Sequence, residues 1–138
     1  MSCDLHIHST CSDGTQTPAE IVAEAIRKRL SAIAVADHDT VQGVPPAIAA
    51  ARGSDLTVIP ACEISTEYEQ AEVHILGYFI ELDNEELTAK FRYVREARRL
   101  RGDEIVSKLR ALGVDVTIDD VLAQSGGVSL GRPHVAQA

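Results

Sequence analysis

An α/β fold whose parallel strands end in reactive side chains is what this sequence predicts, and three observations carry the prediction. Short apolar runs begin at Asp4, Ser31 and Leu56, each of strand length and too short for a helix. Between the first two lies a stretch of helical periodicity, so strand, helix and strand follow one another in the order that parallel pairing requires. The runs end in polar residues of ligand type: His6 and His8, then Asp37-His38-Asp39, then Glu63. In such folds the reactive groups collect at the carboxyl ends of the strands.

In the first run Leu5 and Ile7 alternate with His6 and His8. Both imidazoles therefore leave one face, about 7 Å apart at their Cα atoms. Packing has no use for two adjacent imidazoles, whereas a divalent metal does. Asp13 follows in a Ser-Asp-Gly turn, from which a carboxylate can reach the same point. A surface strand with two solvated histidines is the plain alternative.

Thr17-Pro18-Ala19-Glu20 then reads as a helix start, with Thr17 as N-cap, Pro18 in the first position and Glu20 completing a capping box. Ile21, Val22, Ala25 and Ile26 recur at helical spacing, and Arg27-Lys28-Arg29 suit the negative end of the dipole. Ser31 to Ala36 is a near-continuous run of small apolar residues, as in a strand covered on both faces. His38 is the ligand candidate at its end. Asp37 and Asp39 either orient imidazoles or cap the next segment. Residues 40–46 read as loop, Ala47 to Arg52 as a short helix closed by Gly53, and Leu56 to Cys62 as a third strand with Glu63 at its end.

Ala71 to Tyr78 alternates into a fourth strand carrying His74, after a polar hairpin or turn at 67–70. From Glu85 to Leu112 a long charged helix is expected, with Gly102 a candidate bend and Gly113 a stop. The basic stretch from Arg92 to Arg101 reads as a solvated, ion-paired face in preference to a nucleic-acid contact. A small capped helix starts at Thr117 and ends at Gly126-Gly127, and Gly131-Arg132-Pro133-His134 closes the pattern. Arg132 offers a planar fork for phosphate, with Pro133 fixing the backbone between it and His134. A surface arginine and a helix-starting proline are the plain alternative.

The 138 residues suffice for one domain, 45% hydrophobic and without tryptophan, so the core rests on Ala, Val, Ile and Leu. A net charge of −8 argues against non-specific binding to DNA or RNA, though bound cations would still let an acidic pocket attract an anion. Neither a membrane span nor a signal peptide is expected. Cys3, Cys11 and Cys62 form no paired motif, which fits reduced thiols in a cytoplasm. Cys11 and Cys62 lie beside the expected site as small packing residues or, alternatively, as ligands.

His6, His8, Asp13, His38, Glu63 and His74 thus converge on one rim, more ligands than one ion with an open position needs. Two or more ions follow, with Glu63 as the bridging carboxylate, rather than one closed structural zinc site. Such ions suit phosphate-ester hydrolysis, with metal-bound water or hydroxide as the attacking group and no catalytic side chain assigned.

These residues resemble the PHP domain, shared by histidinol phosphatases and bacterial replicative polymerases. The matching segments are Asp4-Leu5-His6-Ile7-His8-Ser9 with Ser12-Asp13-Gly14, Ala36-Asp37-His38-Asp39, Glu63-Ile64-Ser65 and Val73-His74-Ile75. Within the family the chain looks most like stand-alone phosphoesterases acting on 3′,5′-nucleotide bisphosphates or trimming short RNA from its 5′ end, a branch with a similar Gly131-Arg132-Pro133-His134 element.

The resemblance implies the N-terminal part of a distorted (βα)7 barrel with a trinuclear manganese, iron or zinc site. It makes His6 and His8 ligands of one ion and Asp13 and His38 of a second. Glu63 bridges the first to a third ion, which His74 also binds, and Arg132 and His134 contact substrate phosphate. Residues 1–83 are then barrel units carrying the metal motifs, and 84–138 a helical insertion or cap. The barrel's remainder, with further ligands, is missing or supplied by a partner, so weak metal binding and poor turnover are expected of these 138 residues alone. The alternatives are a histidinol-phosphatase-like enzyme and an inactive metal-binding scaffold module.

Overall fold

The computed structural model describes residues 2–69, 71–125 and 129–138. Four strands form one curled, mostly parallel sheet in sequence order: β1 (Cys3–Ile7), β2 (Ala32–Val35), β3 (Thr57–Tyr68) and β4 (Ala71–Tyr78). Between them lie helices α1 (Pro18–Arg27) and α2 (Val44–Ala50); α3 (Glu85–Ala111), α4 (Ile118–Gln124) and α5 (Arg132–Gln137) follow β4. Among the described residues no helix is long and apolar enough to cross a membrane.

The α1 start is built as its sequence reads. Thr17 accepts from the Glu20 amide, and the Glu20 carboxylate accepts from the Thr17 amide at 2.8 Å. Its buried face of Ile21, Val22 and Ala25 packs on Ile33 and Val35 of β2 and on Ala47, Ala51 and Leu56, which together form the main core. α2 begins at Val44, inside the loop expected over 40–46 and before the helix expected from Ala47, because Pro45 and Pro46 sit in its first turn, where a missing amide costs nothing; it ends at Ala50, short of Arg52.

β1, β2 and β3 pair in parallel, with Cys3 opposite Ala32 and Ala32 opposite Thr57. An irregularity between Asp4 and Ile7 re-aims the end of β1 toward the rim. β3 does not stop at Cys62. It runs on to Tyr68 and pairs antiparallel with β4, from Ala61 opposite Tyr78 to Tyr68 opposite Ala71. Ile64 and Thr66 favour this extension, since β-branched residues fit a pleated surface. Glu63 thus stands near the point where β3 exchanges one neighbour for another, and its amide and carbonyl pair with Asp37 and Asp39.

α3 runs unbroken through Gly102. A side chain there would meet the Leu130 methyl at 2.8 Å, so the glycine admits a close contact and does not bend the helix. Gly113 follows the helix with φ of 89°, the left-handed exit a glycine allows. Val106, Val116, Val121 and Leu130 make a second small core under α3 and α4. The expected Gly126-Gly127 stop lies outside the described residues.

Candidate metal centre

The end of β1 and the turn after it, the loop after β2, and the middles of β3 and β4 bring six side chains together. His6 Nε2, His8 Nε2 and Glu63 Oε2 form a triangle with sides of 3.0, 3.0 and 2.9 Å. His8 turns its Nδ1 to Asp13 Oδ1 at 2.9 Å, and Asp13 Oδ2 lies 3.7 Å from His38 Nε2. On the other side His38 Nδ1 lies 3.5 Å from Glu63 Oε2, and His74 Nδ1 lies 2.9 Å from Glu63 Oε1. The six fall into three overlapping triplets, His6-His8-Glu63, His8-Asp13-His38 and His38-Glu63-His74, within each of which the ligand atoms lie no more than 4.8 Å apart.

This donor set fits divalent cations. Ligand atoms about 2.1 Å from one ion and at right angles lie about 3.0 Å apart, the spacing of the first triangle. If His8 donates its Nδ1 proton to Asp13, its Nε2 lone pair faces a carboxylate and a second imidazole at about 3 Å. Such a cluster of lone pairs requires a proton or a cation between them. His38 Nδ1 is buried without a hydrogen-bond partner, despite its nearness to Glu63. An orphaned imidazole nitrogen of this kind is what a metal ligand looks like before its ion arrives.

Protonation follows the same geometry. The hydrogen bond with Asp13 raises the pKa of His8, and the same bond lowers Asp13 to about 2. Burial lowers His38. Burial pushes Glu63 up, but hydrogen bonds to His6 and His74 and the charges of His38 and His8 outweigh it, and the carboxyl ends below its ordinary value. Cys62 is buried and pushed up to about 12, and burial also raises Cys11. Both thiols therefore stay protonated, and neither belongs to a triplet.

The two aspartates flanking His38 bind no imidazole; they brace the loops. Asp37, 1% exposed, accepts from the Ser9 amide and hydroxyl, each at 2.7 Å, and from the Ser12 hydroxyl at 2.6 Å. These bonds fix the turn that presents Asp13. A Cβ on Gly43 would lie 2.4 Å from Asp37 Oδ2, so this position admits no larger residue without disturbing the brace. Asp39, fully buried with φ of 53°, accepts from the Ser65 amide and hydroxyl and from Arg98 Nε at 2.8 Å. Arg95 donates to the Asp39 carbonyl. The basic stretch of α3 is thus partly turned inward, while Arg99 pairs along the helix with Glu96 and Asp103.

Arg132 is exposed and donates to Glu72 Oε2 at 3.0 Å. His134 is 3% exposed, its Nδ1 accepting from the Gly131 amide at 3.0 Å. Burial lowers its pKa. Reading the sequence missed Ser9, Ser12, Arg98 and Glu72. A signal for the serines was present in their spacing around the turn, but none marked Arg98, which lies 59 positions from Asp39.

Residues 4–114 match the model of the PHP domain. The chain belongs to the PHP domain family. Among curated PHP relatives, a 5′-3′ exoribonuclease of Haemophilus influenzae is 34% identical over 97% of this chain and 48% of its own length. A 3′,5′-nucleoside bisphosphate phosphatase of Chromobacterium violaceum is 32% identical over 97% of this chain and 47% of its own. The solved structure of an amidohydrolase from Chromobacterium violaceum, with bound sulfate and no metal, superposes with a TM-score of 0.92 at 30% identity, covering 99% of this chain and 49% of that one. The chain spans about half the length of the curated relatives it matches.

Proposed function

We propose that this PHP chain carries six metal-binding side chains of a metal-dependent phosphoesterase acting on nucleotide substrates, either 3′,5′-bisphosphates or short 5′-phosphorylated RNA. The observation that carries the reading is the sharing of His8, His38 and Glu63 among three ligand triplets, which suits adjacent ions better than one. The names of the two curated relatives support the substrate class. Divalent ions (manganese, iron or zinc) held by these residues would supply positive charge for the phosphate oxygens and make a bound water more acidic.

The chain's own residues do the rest. Glu63 joins the first and third triplets through its two oxygens, and His8 and His38 tie the second to both. Asp37 holds the turn carrying Asp13. Arg132 is the phosphate contact, since its guanidinium is exposed at the rim, whereas His134 clamps the Gly131-Arg132 segment from beneath. Residues 1–83 serve as barrel units and 84–138 as the helical cap. Full turnover requires the remaining barrel, whether continuous with this chain or supplied by a partner, and the cytoplasm is its place of action.

The test supplies manganese and compares adenosine 3′,5′-bisphosphate, a short 5′-phosphorylated RNA and histidinol phosphate. Phosphate or nucleotide release from either of the first two, lost in Glu63→Ala with circular dichroism unchanged, is expected. Release from histidinol phosphate alone moves the assignment to the small-molecule branch. Bound metal without release from any substrate, even with the remaining barrel added, marks a scaffold.

A further inference from the structure

Beside the ligand cluster, charged groups meet at a carboxylate that the reading above leaves without a role. Glu72 sits two residues before His74 on β4, with Oε1 3.1 Å from His74 Nε2. Its Oε2 accepts from Arg132 of α5 at 3.0 Å, and Arg101 of α3 brings a guanidinium nitrogen to 3.7 Å from Oε1. Arg98 lines the same recess but is committed to Asp39 and Ser65. Two arginines from separate helices therefore close on one carboxylate from the sheet. Arg132 and Glu72 also line a cavity of about 460 Å³ that reaches Asp13, His38 and His74.

The arginines are held weakly. The Arg101 and Arg132 side chains are 53% and 73% exposed, and ion pairs at that exposure contribute little. A phosphate monoester outcompetes a carboxylate for such a fork, because it carries about two charges and three strong acceptor oxygens. Glu72 gives up little by yielding, since it keeps His74.

We propose that Glu72 is an internal placeholder for an anionic group of the ligand. It fills the Arg101–Arg132 fork until a phosphate arrives, then gives up the fork while still orienting His74. That the anion is a substrate's phosphate ester rests on the proposed function; that the fork binds phosphate does not. Release of both arginines leaves Glu72 bound to His74 alone, so filling the fork is felt at the third triplet. Glu72 is in this sense a positioning residue.

The experiment uses the 138-residue chain, freed of metal by chelation, with inorganic phosphate as the probe in calorimetric titration. Glu72→Gln keeps a carbonyl to accept from His74 and removes the competing charge, so phosphate should bind about threefold tighter than to wild type. Arg101→Gln with Arg132→Gln should abolish binding in either background. Ring resonances of His74 should shift during the titration of wild type and stay put in Glu72→Ala. Unchanged or weaker binding by Glu72→Gln overturns the proposal. So does binding that survives loss of both arginines, absence of measurable binding by both forms, or a His74 signal indifferent to phosphate. Urea midpoints confirm that each variant is folded. Because no turnover is measured, this proposal and the phosphoesterase reading fail separately.

Discussion

Replacing Asp37 with alanine should cost more stability than losing any single side chain of the six-residue cluster. Its carboxylate accepts three hydrogen bonds of 2.6–2.7 Å from Ser9 and Ser12, and all three side chains are at most 2% exposed. Hydrogen bonds to a charged group contribute about 1.5–3 kcal/mol each; the variant strands the two Ser9 donors, while the Ser12 hydroxyl keeps a long contact with Asp13 at 3.5 Å. Against this, the variant no longer has to desolvate a carboxylate, a saving of several kcal/mol. The balance is a loss of about 3–5 kcal/mol, a large share of the roughly 5–15 kcal/mol by which a domain is stable. Urea denaturation of the chelated protein measures it, with a thermal midpoint about 10 °C lower as the companion reading. Asp37→Asn, which keeps one acceptor oxygen, should fall between the two. A loss below about 1 kcal/mol in Asp37→Ala would refute the claim that this carboxylate braces the Asp13 turn.

Gly43→Ala drives a methyl to 2.4 Å from Asp37 Oδ2 and 2.8 Å from Ser9 Oγ, so it should lower stability by about 2–3 kcal/mol, and a neutral urea midpoint would contradict the packing. Arg98→Ala leaves Asp39 charged and buried without its cation and should cost about 3–5 kcal/mol; Arg98→Lys should not restore it, because one ammonium cannot reach both Asp39 and Ser65. Full rescue by lysine would show the fork geometry to be unimportant. Asp13 has a folded pKa of about 2 against an ordinary 3.8. A depressed carboxyl stabilises above its unfolded pKa, so in chelated protein its contribution is present above about pH 4 and is lost as pH falls through about 2. Asp13→Asn should flatten that limb of the stability profile, and an unchanged limb would exclude the His8 bond as its source. Saturating manganese should raise the thermal midpoint by an amount corresponding to about 2.7 kcal/mol at one hundred times its dissociation constant, and less in Glu63→Ala.

The clustering of these six side chains was legible in the sequence because each announces itself locally. His6 and His8 share a strand face, Asp13 stands in a turn, and His38 and Glu63 follow apolar runs. The capping box of α1 and the glycine after α3 were equally local, and both stand in the structure. What escaped depends on long-range contact. Asp37 bonds Ser9 across 28 positions, Asp39 bonds Arg98 across 59, and Arg132 bonds Glu72 across 60. Periodicity cannot pair such residues. The end of β3 was misplaced for a related reason: Glu63 and Ser65 look like the polar edge of a buried strand until β4 supplies the ladder that continues it.

That exchange of neighbours along β3 bears on the order in which the protein assembles. The hairpin between β3 and β4 closes over only a few residues and forms in about 1–10 μs, whereas parallel contact with β2 must wait for a crossover to close. Glu63 and His74 consequently find each other early, while His6, His8 and His38 join only once the slower ladder has docked. A cation that needs all of these side chains would then find its complete site only late, on a nearly finished chain.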